Sequence, residues 1–155
     1  MKYWLMKSEP SEFGIEDLKN RPDATEHWDG VRNYQARNFI RDEMKRGDLA
    51  FFYHSNCKEP GIVGIVEIVR PAYPDFTAFD PDSAYFDPKS RRDNPRWFMV
   101  DVRFKEQFPH TISLNELKEC IELQEMPLLR RGNRLSVMPV SSDQWQFILS
   151  LIERI

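Results

Sequence analysis

Asp48-Leu49-Ala50-Phe51-Phe52-Tyr53-His54, then a polar loop over 55–60, then Ile62-Val63-Gly64-Ile65-Val66-Glu67-Ile68-Val69, is the stretch on which the fold turns. The first arm is aromatic and aliphatic and the second β-branched almost throughout, so the stretch reads as a β-hairpin. Gly64 inside the second arm marks a bend, a bulge or the close approach of another backbone. Outward from it, Tyr3–Met6 reads as a short buried strand, stopped by Lys7-Ser8-Glu9-Pro10. Trp97–Phe104 alternates, with Phe98, Val100, Val102 and Phe104 on one side and Asp101 and Arg103 on the other, as a half-buried strand does. Arg134–Val140 reads as a last strand, and Pro139 puts it at an edge or an end.

Helices fall between and beside these strands. Ile15–Asn20 is short and ends before Pro22. Tyr34–Arg46 carries Ala36, Phe39, Ile40 and Met44 on one face, with Asn33 as its cap and Gly47 past its end. Ser113 with Glu116, and Ser141 with Gln144, are capping boxes that open a short helix to about Cys120 and a C-terminal helix. A helical turn is expected within 125–131. Residues 71–96 hold five prolines among aromatics, which reads either as a functional loop or as a packed structural excursion. The sum is α+β: five to six strands in a small, mostly antiparallel barrel flanked by short helices.

The chain has 155 residues, 41% of them hydrophobic, which suits one domain with a real core. No apolar stretch approaches the roughly 20 residues of a membrane span. The start is too short and too quickly charged for a signal peptide. A soluble, cytoplasmic, monomeric protein is expected, with Cys57 and Cys120 as free thiols. The net charge of −3 excludes a histone-like polycation, so a nucleic-acid partner needs a local basic surface. Arg37, Arg41 and Lys45 recur every four residues, and Arg130, Arg131 and Arg134 cluster; each group reads either as a phosphate track or as a solvated surface.

Three segments break apolar runs with polar residues set beside an aromatic: Tyr3–Pro10, Trp28–Asn33 and Phe52–Ser55. That is the make-up of a pocket for a flat, polar ring. HExxH, paired CxxC and Gly-rich phosphate motifs are missing, so neither a metal nor a cofactor is expected. Glu9, His54 and Cys57 leave open an enzyme acting on a nucleobase or small heterocycle. His54 reads equally as a structural histidine, and Glu9 as a cap on nearby backbone. The aromatic 71–96 loop leaves open a protein-interaction module.

Tyr3-Trp4-Leu5-Met6-Lys7-Ser8-Glu9-Pro10, Trp28-Asp29-Gly30-Val31-Arg32-Asn33-Tyr34-Gln35-Ala36-Arg37 and Phe52-Tyr53-His54-Ser55-Asn56-Cys57 resemble, in order, the signatures of EVE domains. Gly61–Gly64, Ala72–Asp75, Arg96–Asp101 and Arg131–Val140 are similar to the later ones, so the resemblance runs end to end. It implies a PUA-like barrel, related to YTH domains, that recognises a modified base in DNA or RNA without catalysis. A methylated or hydroxymethylated cytosine is the base expected.

Such a base must leave its stack to be read. Trp28 is expected to supply one stacking face and Tyr53 the other. Glu9 is expected to accept from an exocyclic amino group, with Ser8 and Ser55 adding hydroxyl contacts. Lys7, Arg32 and Asn33 are assigned to ring acceptors or the adjoining phosphate, beside Gly30, Val31 and His54. Ser136, Val137 and Pro139 are expected to close the side of the slot. Arg37, Arg41, Arg130, Arg131 and Arg134 are the candidates for the nucleic-acid backbone.

Overall fold

The computed structural model describes residues 1–153. Its strands are β1 (Tyr3–Ser8), β2 (Thr25–His27), β3 (Leu49–His54), β4 (Gly61–Pro74), β5 (Phe98–Ser113) and β6 (Val137–Val140). Its α-helices are α1 (Pro10–Phe13), α2 (Ile15–Lys19), α3 (Tyr34–Asn38), α4 (Leu114–Glu119) and α5 (Ser142–Glu153). The strands form one sheet in the order β2-β5-β4-β3-β1-β6. The β1–β3 pair is parallel and every other pair antiparallel. The class is the expected one, but the sheet is open: β2 and β6 are its two edges, and the barrel does not close.

The central strands set apolar residues on both sides because both faces of the sheet are covered. Trp4, Met6, Ala50 and Phe52 pack on one face with Trp28, Val31 and Ile40. Leu5, Phe51 and Tyr53 pack on the other with Trp145 and Ile148 of α5. The two-residue period of a strand divides neighbours in this way.

Both capping boxes form, with Glu116 N donating to Ser113 Oγ and Gln144 N to Ser141 Oγ, each at 3.1 Å. Asn33 caps α3 by accepting from Ala36 N at 3.0 Å. The helix expected to reach Arg46 does not. It widens into a π-helical stretch over Phe39–Glu43, where Met44 N donates to Phe39 O at 2.9 Å, and Met44 is already extended. The four-residue period of Arg37, Arg41 and Lys45 therefore has no continuous helix to ride on. The last strand begins at Val137 rather than Arg134, and β5 runs nine residues past Phe104.

Candidate functional site

The parallel pairing of β1 with β3 sets their C-terminal ends side by side, with Ser8 opposite His54. Antiparallel β6 brings its N-terminal end to the same edge. Two backbone bonds finish the corner: Ser55 N donates to Ser8 O at 2.9 Å, and Lys7 N to Ser136 O at 2.8 Å. A cleft of about 710 Å³ opens there, lined by Lys7, Ser8, Glu9, Ser55 and Ser136 from these strand ends and by the turn His27–Val31. Phe13, Leu135, Arg134, Tyr85, Arg21, Glu26 and Glu12 complete its lining.

The turn is held rigidly. Trp28 N donates to Val100 O at 2.7 Å, and the indole meets Phe52 edge-on with centroids 5.4 Å apart. Only 7% of Trp28 is exposed, so it is a wall of the cleft rather than a free platform. Gly30 adopts φ +81° and donates its N–H to Asp75 Oδ2 at 2.9 Å. The Tyr85 ring lies so close to Gly30 that a Cβ there would sit 2.6 Å from Tyr85 Cζ. Glycine is required at this position both by the left-handed backbone and by the ring.

The polar groups divide into spent and available. Ser8 Oγ donates to Phe13 O at 2.6 Å, so its proton is already used. Glu9 Oε1 accepts from Asn56 Nδ2 at 2.7 Å; Oε2 takes no hydrogen bond among the described residues. Burial lowers the pKa of Lys7, whose Nζ has no carboxylate partner among the described residues and lies 5.6 Å from the Tyr53 ring centroid. Burial raises the pKa of Asp29, with His27 opposing and Asp75 and Glu26 reinforcing it. Glu26 is desolvated too, but bonds from Arg21 and the His27 backbone, with their charges, bring its pKa below the ordinary value. The cleft therefore presents acceptors at Glu9 and Asp29 over apolar walls of Phe13, Trp28, Val31 and Leu135, with Lys7 at its edge and the ammonium toward Tyr53. Among the described residues no group of His, Cys, Asp and Glu is placed to hold a metal.

Of the residues expected at the site, Lys7, Ser8, Glu9, Trp28, Gly30, Val31, Ser55, Ser136 and Arg134 line the cleft. The others lie elsewhere. Tyr53 is buried on the opposite face of the sheet, because Phe52 takes the position under Trp28. His54 Nε2 accepts from Ile15 N at 3.1 Å, which commits its lone pair, and burial lowers its pKa. Arg32 turns away to pair with buried Asp75 at 3.0 Å, and Asn33 is a helix cap. Val137 is core, and Pro139 belongs to the β6 edge, off the cleft. Arg37 donates to Arg96 O at 2.7 Å and stacks over Tyr34, while Arg41 pairs with neighbouring Asp42. Arg130 and Arg131 are exposed but do not reach the cleft. Asp29, Asp75 and Tyr85 were not among the expected site residues. Asp29 and Asp75 stand inside recognisable motifs, but Tyr85 comes from an irregular loop with no pattern of its own.

The chain belongs to the EVE domain family, whose pattern it matches over residues 2–151. It is 52% identical to thymocyte nuclear protein 1 of Danio rerio, across 96% of this chain and 71% of that protein. A crystal structure of a Pseudomonas putida protein superposes with a TM-score of 0.93 at 53% identity, covering 97% of this chain and 99% of that one. The crystal structure of human THYN1 protein in complex with 5-methylcytosine containing DNA superposes with a TM-score of 0.94 at 49% identity, covering 99% and 98%.

Proposed function

We propose that this chain is a non-catalytic DNA-binding domain that draws a 5-methylated or 5-hydroxymethylated cytosine out of its stack and reads it in the cleft. The observation that carries this reading is the meeting of Trp28, Glu9, Asp29 and Lys7 at one corner of the sheet. The likeness to the human protein bound to methylated DNA supports it. Trp28 forms the flat wall against the ring. The open oxygen of Glu9, or Asp29, accepts from the exocyclic N4 amino group, as carboxylates do with cytosine. Lys7, at the edge of the cleft with its ammonium toward Tyr53, answers the adjoining phosphate. Val31, Phe13 and Leu135 give the 5-substituent apolar surroundings.

His54 does not serve as a base in this reading, since its lone pair already accepts from Ile15. The test is binding of DNA oligonucleotides that differ only in cytosine, 5-methylcytosine or 5-hydroxymethylcytosine, with matched RNA as a further arm. A pocket that reads one methyl group discriminates by about 10-fold or more. Trp28→Ala and Glu9→Ala should each abolish most of that preference. Equal binding of all oligonucleotides by the unmutated chain would overturn the reading.

A further inference from the structure

Among the described residues six large hydrophobic side chains are exposed; four of them are Tyr34, Phe76, Tyr85 and Phe86, and Tyr85 lines the cleft. Phe76 packs edge-on against the cleft residue His27 at 4.9 Å. Tyr34 stacks on Trp97 at 4.8 Å, and Trp97 Nε1 donates to Asp87 Oδ2 at 2.7 Å, next to Phe86. Arginines lie over two of these rings: Arg37 lies 4.8 Å from the Tyr34 ring and Arg32 5.5 Å from the Tyr85 ring.

Tyr85 is the hinge of this arrangement. Its carbonyl accepts from Arg32 Nη2 at 2.7 Å, and the same guanidinium is ion-paired to fully buried Asp75 at 3.0 Å. The clasp presses the ring onto Gly30 at the cleft wall. Tyr85 is nevertheless 36% exposed, and among the described residues no hydrogen bond engages its hydroxyl. Burial, then the charges of Glu12, Asp29 and Glu9, push the phenol's pKa up, which places it on the acidic side of the mouth. A clamped, partly exposed ring at the lip of a cleft is suited to hold a base that stays outside.

We propose that Tyr85 is a stacking residue for the nucleotide next to the base being read, on the same strand, so that this loop grips DNA independently of the modification. The inference rests on the reading that a base enters the cleft. It assigns the loop a different ligand from the one held against Trp28.

The experiment measures affinities of the full chain and of Tyr85→Ala, Tyr85→Leu and Tyr85→Phe for four oligonucleotides. Two carry cytosine or 5-methylcytosine; two carry 5-methylcytosine with an abasic site on its 5′ or 3′ side. Losing a base–aromatic stack costs about 5- to 150-fold in affinity. Tyr85→Ala and Tyr85→Leu should lose that factor on modified and unmodified DNA alike, leaving their ratio within threefold. Tyr85→Phe should stay within threefold of the unmutated chain. One abasic flank should cost the unmutated chain a similar factor and cost Tyr85→Leu less than threefold. Tyr85→Leu keeps apolar bulk over Gly30, so it answers the question should the alanine variant fail to fold. A loss under threefold, a loss confined to modified DNA, or an equal abasic penalty in both proteins would overturn the proposal. If the unmutated chain shows no preference for 5-methylcytosine yet Tyr85 still matters on both DNAs, base reading fails and the stacking assignment stands.

Discussion

Asp75→Asn removes one charge and one acceptor from a carboxylate with no solvent exposure. Its Oδ2 accepts from Gly30 N at 2.9 Å and Arg32 Nη1 at 3.0 Å, and its Oδ1 from Thr77 N at 2.9 Å and from the Thr77 hydroxyl. Asparagine has a single oxygen, so either way it turns, its NH2 confronts backbone N–H. Kept on Gly30 and Arg32, that oxygen leaves Thr77 N–H orphaned, at about 1–3 kcal/mol. Arg32 also loses its ionic partner, although the Val31 and Tyr85 carbonyls still receive it. The two effects together cost about 3 kcal/mol, within the range for breaking a buried pair. In a domain of this length that lowers Tm by about 6–12 °C. Urea unfolding, with the midpoint shifted and the slope unchanged, reads the loss directly. Asp75→Ala, which abandons all four donors, should be worse. A loss below about 1 kcal/mol for Asp75→Asn would refute the reasoning, since it would mean the clasp relaxes without consequence.

Gly30→Ala should destabilise by about 1–2 kcal/mol from its left-handed backbone alone, and displace Tyr85 as well; DNA affinity should fall with Tm, and loss of only one would contradict the packing. Burial holds the pKa of Lys7 below the usual lysine value, and on the proposed function its ammonium is the form that meets DNA. Affinity should therefore fall as pH climbs through that lowered pKa toward about 10.4, and Lys7→Met should flatten the profile in an anisotropy titration. Burial, with a lesser push from Cys57, raises Tyr53 to about 12. The folded state then keeps a proton that the unfolded chain releases near 10, so stability should drop between pH about 10 and 12. Tyr53→Phe should remove that part of the decline in chemical denaturation. Arg134→Ala should weaken modified and unmodified DNA equally and reduce the salt slope by about one phosphate's worth; an unchanged slope would take Arg134 off the backbone path.

The elements most visible in the sequence are those whose reason is local. The hairpin of β3 and β4 follows from two apolar runs, and the two capping boxes from residue spacing alone. The reading of the long helix ran past its real end because the π-helical widening over Phe39–Glu43 is not written in the apolar period. The corner residues Lys7, Ser8 and Glu9 were legible because a strand of apolar side chains ends there in polar ones. The choice between Phe52 and Tyr53 was not, since alternation says that the two face apart but not which faces the cleft. Arg32 looked like a ligand contact because an arginine in a polar turn is usually free. Its partner Asp75 lies 43 residues away, and only the folded loop brings them together. Closure of a barrel likewise depends on edges meeting in space, which strand patterns do not report.

Because β1 lies between β3 and β6, with Tyr3 opposite both Leu49 and Val140, one wall of the cleft is delivered by a strand made long after β1 itself. A growing chain can settle its hairpin early, yet Lys7 waits for Ser136 before the corner exists. The cleft corner is thus assembled only once β6 has been made. Prematurely stopped products that end before β6 are left with an unsheltered β1 edge, the kind of surface on which aggregation and quality control act.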